Sequence, residues 1–145
     1  MSHVVEIDVQ IKDLDALAAA AKRLGLQLVL GQKTYRWYGR WVGDHPLPKG
    51  ITQEELGKCE HALTQPGNQA GYEVGVVKRK DGKGYTLLWD FWSGGYGLQA
   101  KIGDGAQKLR QRYAAEVSIK NARRQGFSVK ETVGQDGRIR LVCQK

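Results

Sequence analysis

Between Val5 and Ile11 apolar residues alternate with Glu6, Asp8 and Gln10, the period of a strand with one buried face. Asp13 then precedes Leu14, Leu17, Ala18, Ala21 and Leu24, which recur at helical spacing, and Gly25 stands where a left-handed residue closes a helix. The pattern predicts a strand followed by a helix that covers it. Leu26, Leu28 and Leu30 begin a second strand, interrupted at Gly31. An extended run follows, with Tyr35, Trp37 and Trp41 on one side and Arg36, Tyr38 and Arg40 on the other.

Residues 43–71 hold Pro46, Pro48 and Pro66 and read as an irregular insert. Within them Thr52 and Glu55 have the spacing of a capping box, which predicts a short helix to about Leu63, broken by Pro66, Gly67 and Asn68. Val74 and Val76, then Tyr85, Leu87, Trp89 and Phe91, alternate on either side of Asp81-Gly82 and predict a β-hairpin. A glycine-rich aromatic loop spans 92–97. Asp104, with Gln107 three residues on, is placed to cap a long helix whose inner stripe is Leu109, Tyr113 and Val117, ended by Gly126. Phe127, Val129 and Val133, a turn at Asp136-Gly137, and Ile139, Leu141 and Cys143 form a second hairpin. The order implies an α+β fold, an antiparallel sheet with two main helices on one face, loosely ferredoxin-like.

At 145 residues, 41% of them hydrophobic, the composition fits one domain, burying roughly two thirds of its unfolded surface. No apolar run of about 18 residues is present, so no membrane span is expected, and no basic-then-apolar leader opens the chain. The expected location is cytoplasmic. Two cysteines, Cys59 and Cys143, lack the density of a disulfide scaffold, and Cys143 falls in step with buried Ile139 and Leu141. A net charge of +8 and a pI of 9.6 make polyanions attractive partners at long range.

Four stretches in fixed order run from Tyr72 to Val77, Tyr85 to Trp92, Arg112 to Glu116, and Asp136 to Val142. In this combination the chain resembles the family classed as domain of unknown function 1257, a conserved reading frame of plastids and cyanobacteria with relatives in other bacteria and phages. The resemblance covers the start of the chain through the first helix, weakens over 42–57, and resumes from Lys58 to the end. It implies no activity and no catalytic residues.

Candidate chemistry therefore comes from the residues alone. The row of Arg36, Trp37, Tyr38 and Arg40 can stack planar bases and pair phosphates. The same row also suits a buried aromatic face with a solvated basic back. Trp92, and Arg110 on the basic outer side of the long helix with Lys108, Arg112, Lys120, Arg123 and Arg124, complete the candidate set. Asp90, within an apolar strand, needs a partner such as Arg36 or Arg40, or else an opening to a ligand pocket. The glycines of 93–97 and 103–105 either expose amides to an anion or serve only as turns.

Cys59 and His61, with His45 or His3, are the sparse material of a metal site, but no CxxC or HExxH spacing accompanies them, and neither metal nor cofactor is expected. Two functions compete. One is a non-enzymatic protein that binds nucleic acid or a phosphate-bearing nucleotide. The other is an adaptor or inhibitor that docks on another protein through residues 43–71 and exposed aromatics. Val142, near an edge, also makes self-association an expectation.

Overall fold

The computed structural model describes residues 2–145. Strand β1 (Val4–Ile11) leads into α1 (Leu14–Arg23) and β2 (Gln27–Leu30). After a long strap come β3 (His61–Thr64), β4 (Val74–Lys78) and β5 (Tyr85–Asp90). The chain continues through α2 (Leu98–Ile102), α3 (Gln107–Arg124), β6 (Ser128–Val133) and β7 (Ile139–Gln144). The five-stranded sheet has the order β1-β5-β4-β3-β2, every neighbouring pair antiparallel. The architecture is α+β, as the element order implied.

Alternation along the strands assigns the two faces of the sheet. Ile7, Ile11, Leu63, Val74, Val76, Leu87 and Trp89 point to the helical side, where they pack with Leu17, Ala20, Leu98, Leu109 and Tyr113 in the main core. The opposite face carries Val4, Ala62 and Leu88, with Val77 at its margin, and is covered by the strap, residues 31–60, through Tyr35, Trp37, Trp41, Leu47, Ile51, Leu56 and Cys59. Both faces are therefore covered, one by helices and one by irregular chain.

Several elements depart from the expectations. The strap is not a continued strand: its one β contact is the bridge of Thr34 to Lys58. Even so, Tyr35, Trp37 and Trp41 turn inward and Arg36, Tyr38 and Arg40 outward. The capping box does form, with the Thr52 N–H donating to Glu55 Oε1 at 2.9 Å, but it opens only a 3-10 turn, Gln53–Glu55. Gly57, at φ +83°, ends any helix there. The residues expected to continue that helix supply β3, which lies between β4 and β2 inside the sheet. The supposed insert is thus partly an inner strand.

Asp104 does not cap α3; its carboxylate accepts from Gln99 Nε2 at 2.8 Å, and Ala106 occupies the N-cap position at φ +59°. The second hairpin, β6 with β7, forms its own two-stranded sheet rather than joining the first. A charged cluster ties it to the helices: Glu131 bonds Arg112 and, at 2.7 Å, Arg23, while Glu116 lies 3.2 Å from Arg23. Cys143, expected in the core, is exposed: it lies at the end of a two-stranded sheet that stays apart from the five-stranded one, with only Ile139 and Leu141 of β7 half-buried.

Asp13 joins the two main helices. It caps α1, accepting from the Ala16 N–H at 3.0 Å, and pairs with Lys120 of α3 at 2.8 Å. The hydrogen bond from Lys120, then that from Ala16, holds its carboxyl below the ordinary range. A depressed carboxyl adds stability above its unfolded pKa of about 4, and that stability disappears as pH falls through the folded value. Asp13→Ala is expected to cost about 1 kcal/mol at neutral pH. The gap between variant and parent should close in urea titrations as pH falls through the folded value; a gap that persists below it would assign the loss to packing instead.

Candidate functional site

Asp90 closes β5 with its side chain wholly buried. The expected ion pair with Arg36 or Arg40 does not form. Instead Oδ1 accepts the main-chain N–H groups of His3 and Trp92, each at 2.9 Å, and Oδ2 accepts that of Tyr38 at 3.0 Å. Three amide donors replace one cation, which satisfies a carboxylate without placing a second charge in the interior. The donors come from the entry to β1, the strap and the turn after β5, so one side chain fixes the relative positions of three distant segments.

Around this carboxylate an aromatic surface assembles. The His3 ring lies 4.9 Å from Phe91, 5.5 Å edge-on from Trp92 and 5.3 Å from His45, and His45 meets Phe91 at 5.3 Å. His3 Nε2 is 3.0 Å from Asp44 Oδ2, and Trp41 Nε1 donates to the His45 carbonyl at 2.9 Å, which folds the 38–47 segment back over the start of β1. Tyr38 is 36% exposed, and the Arg40 guanidinium stands 5.9 Å over its ring. An exposed ring with a cation over it, and a half-buried indole whose main chain meets the same carboxylate, are thus anchored on Asp90.

Of the six residues singled out from sequence, the structure sets Arg40 over the Tyr38 ring and ties the Tyr38 and Trp92 main chains to one carboxylate. Arg36 begins the same row, but its Nη1 donates to the Gly71 carbonyl at 2.9 Å and lies 3.8 Å from the Glu73 carboxylate, so its charge is partly answered within the protein. Trp37 turns inward against Gly57, where an added Cβ would meet its Nε1 at 2.4 Å. Its role is to seat the strap. Arg110 stands apart on α3; its Nε is buried without a hydrogen-bond partner, and no hydrogen bond or ion pair among the described residues links it to the others. The basic outer face of α3 is also reduced, since Arg112 is occupied by Glu131 and Lys120 by Asp13.

His3, His45 and Phe91 belong to the surface although sequence reasoning weighed the histidines only as metal ligands. The pairing of Val4 with Asp90 is what brings residue 3 beside residue 91, and no local signal announces it. No three His, Cys, Asp or Glu side chains among the described residues come together as a metal would require.

The glycine-rich turn is less open to anions than its composition suggested. Its Gly94 and Tyr96 amides donate to Phe91 and Ser93 within the turn. Buried Gln65 and Asn68 grip its carbonyls, Asn68 Nδ2 reaching the Tyr96 oxygen at 2.9 Å. Tyr96 remains 47% exposed, its ring edge-on to Tyr72 at 5.0 Å. Cys59, on the buried side of the strap, donates to the Gln32 carbonyl at 3.2 Å, and burial pushes its thiol up to about 11. It is therefore a thiol at neutral pH and a poor nucleophile.

No helix among the described residues is long and apolar enough to cross a membrane. A family model described as Protein of unknown function (DUF1257) matches residues 49–142. No curated protein and no solved structure matches the chain.

Proposed function

The chain belongs to the DUF1257 family, whose description carries no activity, and we propose that it is a non-enzymatic protein that binds single-stranded nucleic acid. The observation that carries this reading is the anchoring of the Tyr38 and Trp92 main-chain amides on one buried carboxylate, with Arg40 over the tyrosine ring. Unpaired bases stack on such rings whatever their sequence, and guanidinium groups pair the intervening phosphates. The net charge of +8 supplies long-range attraction for a polyanion.

Fluorescence anisotropy with a labelled oligonucleotide of about 12 nucleotides, within the span such surfaces cover, tests the reading. Affinity is expected to fall as salt rises, with a log–log slope of about −0.7 for the one phosphate that Arg40 meets. Tyr38→Ala and Trp92→Ala should each weaken binding by about tenfold, and Arg40→Ala should flatten the slope by about 0.7. Folding of each variant is checked by circular dichroism. Undetectable binding, or binding indifferent to both salt and ring removal, overturns the proposal and favours a protein partner for these aromatics.

A further inference from the structure

We propose that a second site, independent of the Asp90-centred surface, lies in the groove between the strap and β4, β5 and β1, and that it takes a small organic anion carried on a flat apolar body. A nucleoside monophosphate represents the class. The groove encloses about 590 Å³, within the range of small-molecule pockets. It shares a sheet face with the first site but lies further back along β5, beside Thr86 and Leu88 rather than at Asp90.

Its floor is apolar, built from Leu88, Val77, Ile51 and the inert Cys59. Such a floor suits a ring and not a hydrated ion. Thr86 is 8% exposed and lines the same space, where its hydroxyl can meet a polar atom of the ligand.

The rim decides the sign of the charge. Lys80 donates to the Gly50 carbonyl and to Glu55 at 3.2 Å, clamping the β4–β5 turn to the strap and closing one side of the groove. Arg79 is answered by Asp81 at 2.9 Å, and Glu60 by Lys33 at 3.3 Å. With these neutralised, Lys49 and Lys58 line the groove with no ion-pair partner among the described residues, against a single free carboxylate, Glu6. Two free ammonium groups against one carboxylate favour an anion. Glu6 offers an acceptor for a hydroxyl or amino group on the ligand body.

The test is a titration of isotopically labelled protein with adenosine monophosphate, adenosine, benzoate and inorganic phosphate at millimolar concentration, followed by amide chemical shifts. The monophosphate is expected to move the amides of Val77, Thr86 and Leu88, with adenosine and inorganic phosphate each far weaker, since neither carries both halves of the recognised chemistry. Benzoate acting on the same amides would also support the class, with charge rather than phosphate as what is read. Lys49→Glu and Lys58→Glu should each weaken the monophosphate by about tenfold while leaving oligonucleotide binding at Tyr38 and Trp92 intact. No shifts, shifts confined to residues around Tyr38 and Trp92, or affinity unmoved by charge reversal would overturn the proposal. Because the two sites are read by different amides and different variants, either can fail without the other.

Discussion

Asp90→Ala is expected to destabilise the protein by about 4 kcal/mol, because three main-chain N–H groups lose their acceptor inside the fold and each such orphan costs about 1–3 kcal/mol, less whatever water recovers. At this chain length the melting temperature should fall by about 10 °C. Asp90→Asn retains one acceptor oxygen and should lose about half as much. The three donors at 2.9–3.0 Å lie in separate segments, so the loss is also a loss of registration. The main chains at Tyr38 and Trp92 would lose their shared anchor, and oligonucleotide affinity should fall in the Asn variant even where it remains folded. Urea denaturation of the three proteins measures the stability series. A loss below about 1 kcal/mol for Asp90→Ala, the level of an ordinary surface change, would mean that Asp90 does not organise the site.

Gly75→Val should cost about 3 kcal/mol, at the upper end of overpacking effects. Gly75 sits on the strap side of β4, and a Cβ there would lie 2.3 Å from Tyr35 Cδ1 and 2.6 Å from Cε1. The aromatic ring occupies the place of the side chain. That ring is 2% exposed, and its main-chain N–H donates to Gly57 at 3.0 Å, so it cannot withdraw without lifting the strap from the sheet. Tyr35→Phe is expected to behave in the opposite way. The Tyr35 hydroxyl is buried with no hydrogen-bond partner, and burial pushes its pKa up to about 12. Removing an unsatisfied hydroxyl leaves stability unchanged or slightly raised. Thermal melts of the two variants separate the contributions: a destabilised Phe variant would reveal a partner for the hydroxyl, and a neutral Val variant would mean that the strap is not seated on β4.

What could be read from sequence was whatever depends on near neighbours. The strand of Val5 to Ile11, the helix capped by Asp13 and both hairpins follow from periods of two and 3.6 and from turn residues, and all four elements stand in the structure. The failures arise where local signals are outvoted. Thr52 and Glu55 form their box, yet a left-handed glycine two residues later stops the helix. The four residues of β3 are too short to show a period against that signal, and sheet pairing on both sides decides their state. Alternation put Cys143 in step with Ile139 and Leu141 but could not tell that the small sheet stays apart from the five-stranded one.

The site was half legible for the same reason. Tyr38, Arg40 and Trp92 belong to residue types suited to stacking and phosphate pairing, and the alternation of the strap correctly turned the first two outward. Asp90 was conspicuous as a carboxylate in an apolar strand. Its partners were not, because main-chain amides have no signature in a list of side chains. His3 and His45 reach the surface only through the β1–β5 pairing and the fold of the 38–47 segment.

The most direct measurement of the central claim is photo-crosslinking of the protein to a single-stranded oligonucleotide containing thio-substituted bases, with the modified peptides mapped by mass spectrometry. The account predicts cross-links at Tyr38 and Trp92 that diminish as salt is raised. Cross-links confined to the basic face of α3, around Lys108, Arg123 and Arg124, or none at all, would contradict it.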